Sequence, residues 1–187
     1  SGPNAVAVWQ QGDNIYSNNS TDEGQRWSIA QVIENSKGMA SSPQLAINSS
    51  NAVIAVWQQN DIADIPSIYS NYSSISGGVI TWNPFIAQLI ENGSGIASSP
   101  QLAMSGPNAV AVWTQNDGTT DSIYSNYFTN VGQIWHTAQL IESGSGSAYS
   151  PQLAMSGPNA VAVWQQGDNI YSNNSTDGGQ IWQTAQG

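Results

Sequence analysis

The chain has 187 residues, of which only 7% are charged, with twelve carboxylates against Arg26 and Lys37 and a net charge of −10. Such a surface repels phosphate backbones and anionic lipid, which excludes nucleic acid and acidic membranes as partners. Cysteine is absent, which excludes disulfides and thiolate metal sites, and no apolar run approaches the ~20 residues of a membrane span.

Read from its start, the chain repeats one unit at a period of about fifty residues, the mark of a propeller or a solenoid. Ser1 to Gln25 returns as Ser156 to Gln180, with Glu23 in place of Gly178 as the only change. Four kinds of strand recur. Strand A reads Ser-Pro-Gln-Leu-Ala and starts at Ser42, Ser99 and Ser150. Strand B starts at Asn4, Asn51, Asn108 and Asn159 with Asn-Ala-Val and ends in Trp. Strand C reads Ile-Tyr-Ser-Asn from Ile15, Ile68, Ile123 and Ile170, and strand D runs from Trp27, Trp82, Trp135 or Trp182 to Ala-Gln. Each is short, rich in Val, Ile, Tyr and Trp, and fenced by Gly, Ser, Asn and Asp, and no stretch keeps a helical period. Strand B is apolar at odd and even positions alike, so it expects burial on both faces.

These patterns predict an all-β chain, a β-propeller of four-stranded antiparallel blades, with a solenoid as the alternative architecture. Residues 1–187 then form one propeller domain or propeller fragment, with blades at about 1–35, 36–91, 92–142 and 143–187. Strand A is missing from the first blade. The expectation is a piece of a longer array, or two chains that complete a larger ring, because an open edge invites another chain.

The link between strands C and D carries a resemblance. Ser20-Thr21-Asp22-Glu23-Gly24-Gln25-Arg26-Trp27 and Ser175-Thr176-Asp177-Gly178-Gly179-Gln180-Ile181-Trp182 resemble the Asp-box (BNR repeat), Ser-x-Asp-x-Gly-x-Thr-Trp, of sialidase-type propellers. Blade three is degenerate, with Phe128 in the Ser slot and Asn130 in the Asp slot, and blade two has lost the motif between Ser73 and Trp82. The resemblance implies that Ser20, Asp22, Gly24, Trp27, Ser175, Asp177, Gly179 and Trp182 are structural and lie away from the family's active-site face. It also implies that sialidase chemistry is missing. The family grips its substrate with three arginines, this chain has Arg26 alone, and the Tyr–Glu nucleophile pair has no counterpart.

What remains as a candidate site is a set of carboxylates in the B-to-C loops: Asp13, Asp61, Asp64, Asp117, Asp121 and Asp168. With Glu34, Glu91 and Glu142 at the ends of strand D, nine of the twelve carboxylates would gather at one end of the propeller. Turn capping explains each Asp singly. A ring of them would suit a cation, calcium above all, or the hydroxyls of a sugar. No other cofactor is implied. The eight tryptophans, two per blade, read as core. His136 occupies an exposed strand position with no second His to make a metal pair. The function expected is therefore a non-catalytic binding or scaffold module, secreted or on the cell surface, for glycans or cations. One alternative is a glycoside hydrolase using the loop pairs Asp61 with Asp64 and Asp117 with Asp121. The other is a lectin that takes sugar between blades on the strand-B tryptophans.

Overall fold

In a computed structural model the described residues are 2–35, 38–82, 87–116, 118–129 and 133–187, and all of their regular structure is β. No helix among them is long and apolar enough to cross a membrane. The strands fall into four antiparallel sheets in chain order, which are the blades of a propeller. Blade one holds β1 (Ala5–Gln11), β2 (Asn14–Ser20) and β3 (Gln31–Val32). Blade two holds β4 (Ala40–Ile47), β5 (Ala52–Asn60), β6 (Pro66–Ser76), β7 (Val79–Ile80) and β8 (Gln88–Leu89). Blade three repeats that plan with β9 (Ala97–Ser105), β10 (Asn108–Asn116), β11 (Asp121–Thr129), β12 (Ile134–Trp135) and β13 (Gln139–Leu140). Blade four holds β14 (Ala148–Ser156), β15 (Asn159–Gln166) and β16 (Asn169–Ser175), closed by a bridge from Ser172 to Gln186.

The repeated words of the sequence acquire structural meanings. At each Ser-Pro of strand A the register with strand B slips, between Ser41 and Gln44, between Ser98 and Gln101, and between Tyr149 and Gln152. Proline has no N–H to give a ladder, so it sits at a bulge, and the Ser before it turns left-handed, at φ 52°, 55° and 53° for Ser42, Ser99 and Ser150. Strand D is shorter or more broken than its sequence suggests. In blade one its ladder begins at Gln31 rather than at Trp27, and in blade two Gln88 and Leu89 pair with β6. In blade three Trp135 of β12 pairs with Phe128 before the ladder breaks and resumes at Gln139 in β13.

Side chains alternate along strand B, so each blade has two apolar faces of different shape. The forward face carries Val6 and Val8, Ile54 and Val56, or Val110 and Val112, with Ile15, Ile68 or Ile123 from strand C. The backward face of the following blade carries Val53, Ala55 and Trp57, then Ala109, Ala111 and Trp113, then Ala160, Ala162 and Trp164. Forward face meets backward face at all three joints. Branched side chains stand against a row of mostly small ones, which lets the sheets approach closely, and a Trp fills the end of each joint. Burial on both faces therefore holds for β5 from Val53 to Trp57 and for β10 from Ala109 to Thr114. In β15 burial alternates instead, because among the described residues no blade packs on the forward face of blade four.

Candidate functional site

Two ends of the propeller compete for the role of site, and each is built from loops of every blade. At one end lie the B-to-C hairpins with the D-to-A links. Asp13 C=O accepts the N–H of Ala40 at 2.9 Å, and the Met39 and Ile96 carbonyls accept from Asn60 and Asn116 at 3.0 and 2.9 Å. At the other end lie the A-to-B turns and the C-to-D links, joined by Glu23 N–H to Pro3 C=O at 2.8 Å and Gly178 N–H to Pro158 C=O at 2.7 Å.

The hairpin end holds the described aspartates among those expected from sequence, each placed in a turn or beside one. Asp13 and Asp168 are exposed second residues of two-residue turns whose first residues, Gly12 and Gly167, have φ of 61° and 59°. Asp61 accepts the N–H groups of Ala63 and Ile65 at 2.7 and 3.0 Å, the capping of its own loop. Asp64 and Asp121 each accept from an Asn at the end of strand B, Asn60 at 2.7 Å and Asn116 at 2.9 Å. Asp117 lies outside the described residues. Among the described residues no three acidic or His groups come together to hold a metal ion.

Two of the strand-D glutamates are structural for a reason that sequence reasoning missed. Each strand-B Trp donates its indole N–H to the Gln two residues on, Trp57 to Gln59 at 2.8 Å, Trp113 to Gln115 at 2.9 Å and Trp164 to Gln166 at 3.2 Å. That Gln then donates to the blade before it, to Asn35 at 2.9 Å, Glu91 at 3.0 Å and Glu142 at 2.9 Å. A second clamp is the Asn of Ile-Tyr-Ser-Asn. Asn71, Asn126 and Asn173 donate across the joint to the carbonyls of Ile33, Ile90 and Ile141 at 3.0, 2.8 and 2.8 Å. The signal was present in the recurrence of Trp-x-Gln and Tyr-Ser-Asn in all four copies. These contacts bury Trp57, Trp113 and Trp164, which removes them as sugar platforms.

At the other end, Ser20 and Ser175 anchor matching turns. Ser20 Oγ donates to Asp22 at 2.8 Å and accepts the N–H of Gly24 at 2.9 Å, and Asp22 accepts the N–H of Arg26 at 2.8 Å. That last bond, helped by Ser20, holds the exposed Asp22 carboxyl below its ordinary pKa. Ser175 and Asp177 repeat the pattern, with Gln180 and Ile181 N–H both donating to Asp177 at 3.0 Å. Burial pushes the Asp177 pKa up, but the bonds from Ser175, Ile181 and Gln180 outweigh it and the net shift is downward. The glycines are left-handed, at φ 85° for Gly24 and 90° for Gly179. Trp182 is half-buried against the joint of blades three and four, whereas Trp27 is 46% exposed, so the core-sealing role expected of both is not met in blade one. His136 is exposed as expected and stacks on Tyr127, with ring centroids 4.1 Å apart.

A concave feature of this end lies between blades two and three, where the repeated turn is lost. In blade two a Gly77-Gly78 turn, with φ of 59° and 82°, extends β6 to Ser76 and folds β7 back on it through Ile75–Ile80 and Ser76–Val79 pairs. In blade three Phe128, in the Ser slot, packs with Ile54 and Ala109 instead of anchoring a turn. Asn130 lies outside the described residues. Between them opens a cleft of about 870 Å³. Ser50, Ser73, Ser74, Ser76, Thr81 and Gln133 supply polar groups, and the half-buried Tyr72, tilted 5.8 Å from the buried Phe128, supplies an aromatic one. The Tyr72 hydroxyl donates to Gln133 across the blades. No charged residue lines the cleft among the described residues. The Gly-Gly dipeptide and the Phe in a Ser slot were the legible signs of it.

No family model matches the chain, and no curated protein is recognisably similar to it. Solved structures are similar in fold. A Hadza microbial sialidase aligns over 97% of this chain and 43% of its own, at 12% identity and a TM-score of 0.63. Trypanosoma rangeli sialidase in complex with the inhibitor DANA aligns over 96% and 35%, at 15% identity and 0.61. The NanB sialidase of Streptococcus pneumoniae aligns over 100% and 50%, at 10% identity and 0.57. The chain thus has a sialidase-like propeller fold and spans half or less of the length of these proteins.

Proposed function

We propose that this chain is a non-catalytic, secreted or surface-exposed carbohydrate-binding propeller unit. Its site is the cleft between blades two and three, and its ligand is a neutral glycan. The observation that carries this is the coincidence of two departures from the repeat with the 870 Å³ cleft they enclose. Hydroxyl and amide groups beside the aromatic ring of Tyr72 match a sugar ring, which has polar edges and an apolar face. An uncharged lining on a chain of net charge −10 selects a neutral glycan over an acidic one. Glycosidase chemistry needs two carboxyl groups flanking the bond, and the described cleft offers none. The turns at Ser20–Trp27 and Ser175–Trp182 are Asp-boxes on this reading, kept for stability in blades one and four. The glycan-related fold neighbours agree with a sugar ligand.

A glycan array probed with the chain, followed by calorimetry on the best neutral oligosaccharide, tests the proposal. Ser74→Arg, a change at an exposed cleft wall, is expected to weaken binding at least tenfold while leaving the melting temperature in place. Mass spectrometry of the incubated sugar should find it intact. Binding untouched by Ser74→Arg, or confined to sialylated glycans, would refute the site.

A further inference from the structure

We propose that a second copy of this chain docks head to tail, with the forward face of blade four seated on the backward face of blade one. The forward face of blade four is made of Val161, Val163 and Ile170, which are 46%, 36% and 66% exposed. Their counterparts at the joint of blades three and four, Val110, Val112 and Ile123, are the same residue types and are 0% exposed. The backward face of blade one is made of Ala5, Ala7 and Trp9, which are only half-buried and belong to none of the four apolar clusters. Their counterparts in blade four, Ala160, Ala162 and Trp164, are sealed under Val110 and Val112.

What covers such a face is written in the chain. Blade one repeats blade four over twenty-five residues with one change, so it offers to a neighbour the surface that blade four offers to blade three. Blade four in turn offers Val-x-Val and Ile, as blade three does. The geometry matches down to the Trp9–Tyr16 stack at 6.0 Å and 18°, beside Trp164–Tyr171 at 6.5 Å and 15°. Because the two faces differ, the contact is heterologous: one copy gives its last blade and takes the other's first. Leu153 and Met155 of β14, which pad the internal joint, have no counterpart in the sheet of blade one. The joint between copies is therefore smaller and forms reversibly. With like net charges on both copies, added salt should strengthen it.

Sedimentation from micromolar to submillimolar protein tests this with the intact chain and two variants. Wild type should rise in mass above its 19.8 kDa with concentration. Val161→Glu and Ala7→Glu, each on an open face, should stay monomeric and fold normally by circular dichroism. Ala5→Glu replaces Ala7→Glu should that variant not fold. Mixed one to one, the two variants should form a pair and nothing larger, because one intact face of each kind survives. Wild type that is monomeric throughout would overturn the proposal. So would an Ala7→Glu protein that still dimerises, the sign of two forward faces meeting, or a mixture that stays monomeric.

Discussion

Gly24→Ala and Gly179→Ala make the same change in the same turn, and the blade-stacking rule predicts different costs. Both glycines are left-handed, at φ 85° and 90°. Alanine there is strained by about 1–2 kcal/mol, offset by about 0.4–1 kcal/mol through a stiffer unfolded chain. The shared loss is thus about 1 kcal/mol. A Cβ at Gly24 meets nothing nearer than Trp27 at 3.9 Å. At Gly179 it would lie 2.7 Å from Val110 Cγ2 and 3.4 Å from Tyr127 Cβ, both in the blade before it. Overpacking of that kind adds about 1–3 kcal/mol. The expected losses are therefore about 1 kcal/mol for Gly24→Ala and about 2–4 kcal/mol for Gly179→Ala. Urea denaturation of dilute protein gives the global value, and hydrogen exchange at 175–181 gives the local one should the last blade open alone. Equal losses in the two variants would refute the packing of the blade-four turn onto Val110.

Four further outcomes follow from the same contacts. Asn126→Ala should cost about 3 kcal/mol, since its amide donates to Ile90 and His136 carbonyls and accepts the N–H of Tyr127, all near a buried joint. A urea melt checks it. Glu23→Gly should raise stability by up to about 1 kcal/mol, because Glu23 holds φ 62° where blade four has Gly178, and differential scanning calorimetry reads the shift. Asp177→Ala should cost about 1 kcal/mol, discounted for exposure, by removing bonds from Ser175, Gln180 and Ile181. Its folded pKa is depressed, so its stabilisation is full above the unfolded value near 4 and is lost as pH falls through the folded value; an acid titration should show wild type and variant converging below that range. Asp61→Ala should loosen one loop, seen as faster exchange at Ala63 and Ile65, and leave glycan affinity unchanged.

The repeat made the fold legible. Strand-like words at a period of about fifty residues leave few architectures, and the two apolar sides of Ala5-Val6-Ala7-Val8 already imply sheets stacked on both faces. The Asp13 and Asp168 turns were legible too, as Gly-Asp hairpin dipeptides. The reach of side chains between blades was not. Nothing in the spacing of Gln115 and Glu91, twenty-four residues apart, shows that they meet at 3.0 Å, so Glu91 read as part of a binding rim when it is half of a joint. The length of strand D was hidden for a related reason. Trp82 is drawn into a joint by packing and the pairing with β6 is taken up at Gln88, while in blade three the strand pairs at Ile134 and Trp135, breaks, and resumes at Gln139. The cleft was hidden because it is made where the pattern fails, and an absent motif shows only that a turn has changed, not that two changed turns face each other.

The assignment of function to the cleft is tested most directly by titrating a neutral oligosaccharide into isotopically labelled protein and following amide shifts by NMR. A glycan seated in the cleft should give shifts that saturate at Tyr72 to Ser76, Thr81 and Gln133, with Asp13, Asp61 and Asp168 still. Shifts confined to the hairpin end, around Asp13, Asp61 and Asp168, would contradict it and return the site to the carboxylates.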